Sequence, residues 1–345
     1  MKEKIVFLTH TNYHLLMTFS IIFDKYSDIN KYEVIIIKSI KESEESIEPK
    51  ISNINFIYLD LQEKHNVLNS SVIDYFNEIT RSNVKRFFFF NEDVLSAIYL
   101  AIRLKSNGAI TGLIQDGLKA YAIIDKLALK YRLMRTIKFY KFLKSNNLKI
   151  SSFYFFNIKY GKSSVVDELW LTHPESSILK TKPSLKINFF DSIDDINSLK
   201  KIFKFDYSVS KSKIIFFISS IVRDNTKVIE TERKIINDLS NKFPDAEIYF
   251  KVHPRTPSNV IDKVMLFPKV KIINSEAPAE FYISQFDKAI ILGSYSTALL
   301  YNNNKSSYYW LYPMYQKYIP TFKYTYITNP TSHIKIIDNI ENIEF

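Results

Sequence analysis

The chain has 345 residues, 46% hydrophobic and 24% charged, enough apolar sequence for one large or two medium globular domains and too much for a disordered chain. No apolar run approaches the ~18–20 residues that span a bilayer, and Thr9, His10, Asn12 and His14 break the N-terminal one, which argues against a secretory leader and predicts a cytoplasmic protein. Cysteine is absent, which excludes disulfides, thiolate metal sites and cysteine nucleophiles, while the formal charge of +11 comes from scattered lysine and is weak evidence for nucleic acid.

The opening KIVFLTH reads as a strand, THTNYH as a loop and Leu15–Tyr26 as an amphipathic helix. Strands follow at Glu33–Ser39, Asn53–Asp60 and Val84–Phe90, then a helix at Val94–Lys105 and a strand in AITGLIQ before Asp116. From Asp125 to Leu148 the period is helical and the helix strongly basic. It reads as a solvated face over an apolar stripe, or as an interfacial helix that meets anionic lipid. Asp167–Glu175 looks like another buried strand, and the polar stretch Ser176–Ser212 like an interdomain connection. A second series runs through strands at Lys213–Ser220, Glu247–His253, Val270–Ser275 and Lys288–Ser294. Its helices lie at Ile229–Asn241, after Pro278 and from near Ser296. The Tyr-rich tail from Tyr308 fits no clear period. Continuous apolar runs alternating with helices predict an α/β protein of two Rossmann-like domains, 1–200 and 201–345, facing a cleft.

With glycine only at Gly108, Gly112, Gly117, Gly161 and Gly293, neither GxGxxG nor GxxxxGK[ST] can be assembled. Phosphate must then be held by helix N-termini, hydroxyls and cations. Ligands of open α/β sheets sit beyond the carboxyl ends of strands, which singles out four places. Asp116-Gly117 pairs an acid with a turn glycine. His253-Pro254 puts an imidazole where proline prevents the strand from continuing. Glu280 opens a helix after Pro278. Ser294, Ser296 and Thr297 gather hydroxyls and backbone N–H groups at a helix start. Each also has a structural reading, as a cap, a core histidine or a dipole partner.

In order, an acid-Gly pair, His-Pro and a Ser/Thr pair resemble the motif series of bacterial sialyltransferases with the glycosyltransferase-B fold. From Ile5 to about Tyr301, including FLTHTNYHLL, the chain resembles glycosyltransferase family 52, the lipooligosaccharide sialyltransferases. The resemblance implies an N-terminal acceptor domain and a C-terminal CMP-sugar domain. Asp116 would be the general base, with Gly117 keeping the approach open, and His253, followed by Pro254, would stabilise or protonate the phosphate of departing CMP. Ser294, Ser296 and Thr297 would hold that phosphate and Glu280 the ribose hydroxyls. Where the family usually shows two acids this chain has Gln115 before Asp116, so Glu230 and Glu232 stand as alternative bases.

The implied reaction moves sialic acid or a related nonulosonic acid from CMP to a sugar hydroxyl of a bacterial surface glycan. It needs no cofactor or metal, and no two aspartates are spaced as DxD. Expected partners are CMP-sialic acid, a lipid-linked glycan acceptor, the inner face of the cytoplasmic membrane and a second copy of the chain, but not nucleic acid. CMP-Kdo transferases and CDP-polyol transferases of teichoic-type polymer synthesis resemble the C-terminal half too. A diphosphate donor calls for extra cations near Ser294–Thr297, and Lys305 is the one read as close. A basic nucleic-acid-binding protein is the alternative from another class, set against by aromatics that fall mainly in apolar runs.

Overall fold

Runs such as IVFLT and VIII have no face suited to water, so their strands are stable only when both faces are covered, as in a parallel sheet between helices. The computed structural model describes residues 2–39, 54–61, 67–121, 129–156, 160–189, 193–203, 205, 213–265, 267, 270–320 and 329–345, without the side chains of 193–195 and 265. The chain divides into two units, Met1–Phe203 and Lys204–Phe345.

In the first unit, β1 (Glu3–Thr9), β2 (Tyr32–Ser39), β3 (Ile54–Leu59), β4 (Val84–Phe89), β5 (Ile110–Ile114), β6 (Glu168–Leu171) and β7 (Ser184–Lys186) pair in the order β3-β2-β1-β4-β5-β6-β7. Every pairing is parallel. The helices are α1 (Asn12–Lys25), α2 (Ser70–Arg81), α3 (Leu95–Ser106), α4 (Leu129–Ser145) and α5 (Ile193–Ile202). THTNYH is not all loop: the Thr11 hydroxyl accepts the His14 N–H at 3.1 Å, so α1 begins at Asn12 and carries His14 on its first turn. Helix α2, which the reading above leaves out, carries the helical signal in full: Val72, Phe76 and Ile79 recur at i, i+4 and i+7 and are buried. Helix α4 begins, within the described residues, at Leu129; Asp125, Lys126 and Leu127 of the expected basic helix lie outside them. The stretch read as a connection contains β7, paired with β6, and α5, packed on α1, both in the first unit.

The β4–β5 contact demands a glycine. A Cβ on Gly112 would come 2.5 Å from the ring of Phe88, and that ring is itself fixed by a stack on Phe7 at 4.6 Å and an edge contact with Trp170 at 5.5 Å.

In the second unit, β8 (Ile214–Ile218), β9 (Glu247–Lys251), β10 (Val270–Ile273), β11 (Ala289–Gly293), β12 (Ser307–Trp310) and β13 (Ile334–Ile336) form an all-parallel sheet in the order β10-β9-β8-β11-β12-β13. Its helices are α6 (Thr226–Lys242), α7 (Ser258–Met265), α8 (Ala279–Ile283) and α9 (Tyr312–Tyr318). The Tyr-rich tail supplies β12, α9 and β13, and its Tyr309, Tyr315, Ile337, Ile340 and Ile343 complete the core. The chain after Gly293 forms no α-helix near Ser296: Thr297–Leu300 is one 3-10 turn of four residues, followed by β12. Both units have the Rossmann-like order, with reversal points between β1 and β4 and between β8 and β11. Among the described residues no helix is long and apolar enough to cross a membrane.

Candidate functional site

The first unit presents an ionised acceptor at the end of β5. Gly117 has φ +68°, the left-handed region that favours glycine, and lets the chain turn directly after Asp116. The Asp116 carboxylate accepts from Lys119 Nζ at 2.7 Å and lies 3.4 Å from His14 Nε2. The backbone N–H of His10 donates to His14 Nδ1 at 3.2 Å, so the neutral imidazole carries its proton on Nε2, aimed at the carboxylate. Phe90 stacks on the ring at 4.0 Å between centroids.

Burial depresses the pKa of His14, and the Asp116 charge offsets this only in part. His14 is therefore neutral at neutral pH. Burial alone would push Asp116 up, but the His14 hydrogen bond and the Lys119 ammonium outweigh it and hold the carboxyl well below the usual carboxylate range. Gln115 faces the other way and is fully buried. Its carbonyl accepts from Tyr121 Oη at 2.8 Å and from Thr172 N–H and Oγ1 at 3.0 Å each, so the amide ties the end of β5 to that of β6. Glu92, which sequence reading missed, follows β4, accepts the Gly161 N–H at 2.6 Å and is pushed up to about 7 by burial.

In the second unit hydroxyls converge at the reversal point. Ser220 Oγ, after β8, hydrogen-bonds Ser294 Oγ, after β11. Behind them Glu232 of α6 is fully buried and accepts from Ser219 Oγ at 2.8 Å, Ser220 N–H at 2.7 Å and Tyr315 Oη at 2.8 Å. That arrangement rules Glu232 out as an acceptor-facing base, and Glu230 points to solvent from the same helix. Ser296 Oγ accepts the Ala298 N–H at 3.3 Å and caps the 3-10 turn. The donors expected from an α-helix start are thus reduced to the partly exposed hydroxyls of Ser296 and Thr297, since a single short turn sums little dipole.

His253 follows β9. Its Nδ1 accepts the Arg255 N–H at 3.0 Å, which leaves Nε2–H as the donor of a neutral ring. Burial, helped by the charges of Arg255 and Lys251, lowers it to about 4. Pro254 is exposed, and the loop is closed by Thr256 Oγ1 donating to the Ile221 carbonyl at 2.5 Å. Glu280 is 3% exposed and pushed up to about 7 by burial, against the opposing charge of Lys251. Lys251 is itself lowered to about 8 by burial and donates to the Ser275 and Val252 carbonyls. Lys305 is engaged elsewhere, paired with exposed Asp287 at 2.6 Å. Among the described residues no group of three His, Asp or Glu side chains could hold a metal ion.

Glu232 carries a pH-dependent cost. Burial lifts its folded value to about 7 from an ordinary 4.5, so between those values the folded chain keeps a proton that the unfolded chain has lost. Each unit of rise through that window removes up to about 1.4 kcal/mol of stability. Glu232→Gln does not titrate there, so it gains on the parent as pH rises through the window and stays level above it. Glu92 and Glu280 titrate alike in both proteins and cancel. Urea midpoints at about pH 5 and about pH 8 measure the difference; an equal gap at both contradicts the assignment.

Neither any protein-family model nor any curated protein sequence matches the chain. Among solved structures it is similar to a 2,6-sialyltransferase of Photobacterium sp. JT-ISH-224 in ternary complex with CMP and lactose (TM-score 0.57, 14% identity, covering 88% of this chain and 70% of that one). It is also similar to the GT-B domain of a sialyltransferase from Photobacterium damselae (TM-score 0.51, 14% identity, 89% and 90% covered). A third is the UDP-GlcNAc 2-epimerase of Methanocaldococcus jannaschii (TM-score 0.53, 13% identity, 98% and 90% covered). At these identities the likeness is one of fold: the chain has the GT-B fold, built of two Rossmann-like α/β units.

Proposed function

We propose that the protein is an inverting glycosyltransferase that moves sialic acid, or a related nonulosonic acid, from a CMP donor to a terminal sugar hydroxyl of a lipid-linked bacterial surface glycan at the inner face of the cytoplasmic membrane. The observation that carries the reading is a set of neutral donors in the second unit, with positive charge nearby limited, among the described residues, to Arg255 and Lys251. A neutral His253 Nε2–H follows β9, and paired Ser220 and Ser294 hydroxyls sit at the β8/β11 reversal point. Hydroxyls and a neutral imidazole suit the single phosphate of CMP. A diphosphate calls for more positive charge, and Lys305 is spent on Asp287.

In the proposed reaction the acceptor oxygen attacks the anomeric carbon while the bond from that carbon to the phosphate oxygen breaks. The bonding pair leaves with CMP. Asp116 orients the acceptor hydroxyl and takes its proton late, once the oxocarbenium-like transition state has made that proton acidic. His253 donates to the departing phosphate, Ser294, Ser296 and Thr297 complete its cradle, and Glu280 is assigned the ribose hydroxyls.

Incubation with CMP-sialic acid tests this, with CMP release followed with and without lactose or a terminal galactoside. Release accelerated by acceptor is expected. Consumption of CMP-Kdo, CDP-glycerol or UDP-GlcNAc while CMP-sialic acid stays intact contradicts it.

A further inference from the structure

Helix α4 is anchored on one side only. Phe139, Phe142 and Leu143 are buried, Arg132 Nε donates to the Phe156 carbonyl at 3.0 Å, and Arg135 pairs with Asp93. Its outer side carries Leu129, Tyr131, Leu133, Met134 and Ile137, each 47–68% exposed, and Phe153, 76% exposed, lies against Tyr140 at 5.5 Å. The exposed side chains change character along the axis rather than around it. Apolar groups, with Lys130 among them, fill Leu129–Ile137, and exposed Lys138, Lys141, Lys144 and Lys149 follow. No Asp or Glu occurs between Leu129 and Lys149.

We propose that this surface docks on an anionic phospholipid bilayer, with the Leu129–Ile137 end entering the headgroup–acyl boundary and the lysines at the level of the lipid phosphates. Charge complementarity selects that occupant. A second copy would set lysines against lysines with no acid to relieve them. Nucleic acid would pair with the lysines but leave Leu129, Leu133, Met134 and Ile137 in water, since aliphatic side chains gain from hydrocarbon and little from bases. The axial segregation makes the helix enter at a tilt, its N-terminal end deepest. Docking would bring the first unit to a lipid-linked acceptor if the proposed function holds, but it concerns α4 alone and needs no donor.

The test is cosedimentation of the full chain with vesicles of phosphatidylglycerol and phosphatidylcholine, compared with phosphatidylcholine alone, in rising salt. Binding to the anionic vesicles, weakened by salt, is expected. Leu133→Glu with Met134→Glu should lower the partition coefficient at least about tenfold. Lys138→Gln with Lys141→Gln and Lys144→Gln should lower it about a hundredfold, roughly fivefold per charge. All five side chains are exposed, so unchanged thermal melting shows that the variants fold. Absence of vesicle binding by the parent at low salt overturns the proposal, as does parent-like binding by either variant. So does capture of an oligonucleotide, or a dimer split by the Glu variants, in place of vesicle binding. CMP-sugar turnover is read separately, so failure here leaves the donor assignment standing, and the reverse.

Discussion

Replacing Asp116 by Asn is expected to lower kcat by about 10²–10⁴, the usual contribution of a positioned base, with little change in melting temperature. Asn keeps an oxygen to accept His14 Nε2–H, and the Lys119 pair it breaks is only partly shielded, with side chains 39% and 24% exposed, a setting in which such pairs contribute about 0–1 kcal/mol. What disappears is the proton acceptor. Because His14 and Lys119 hold Asp116 well below the usual carboxylate range despite its burial, any acid limb that Asp116 sets in the pH–rate profile should lie below that range too. Initial rates of CMP release across pH measure both effects; parent-like turnover by the Asn variant removes Asp116 from the reaction.

His253→Ala is expected to cost about 10²–10³ in kcat, the effect of deleting one donor aimed at developing negative charge. Two proposed roles for this residue, neutral donor and proton source, give different expectations. An imidazole lowered to about 4, with Nδ1 occupied by the Arg255 N–H, is a neutral donor through Nε2 rather than a stored acid. His253→Gln, whose amide N–H reaches a similar position, should therefore recover about tenfold or more of the activity lost in the Ala variant. Equal activity of the Gln and Ala variants contradicts the donor role and favours proton transfer. Parent-like activity of both contradicts any role in leaving-group departure.

The strands were legible because a residue buried on both faces must be apolar: IVFLT, VIII and IIFF need no partner in view to be recognised. Strand ends follow from them, which is how Asp116, His253 and Ser294 came into question. What surrounds each was not legible, since the partners are remote in sequence. His14 lies 102 residues from Asp116, Tyr315 lies 83 from Glu232, and Ser220 lies 74 from Ser294. In THTNYH the legible signal was Thr11, a helix cap that places His14 on a buried first turn. Gln115 looked like a lost acid, whereas its burial between Tyr121 and Thr172 makes it a clamp between two strands. The segment after Ser296 misled because capping chemistry is shared by α-helices and single 3-10 turns.

The central claim is that the second unit is built for a cytidine monophosphate. Thermal stabilisation by CMP, CDP, UDP and GDP, each with and without EDTA, tests it most directly, because a ligand at a hundred times its Kd adds about 2.7 kcal/mol of stability. The account predicts the largest shift with CMP, unchanged by EDTA and diminished in His253→Ala. A larger shift with CDP or UDP, or none with any nucleotide, contradicts it.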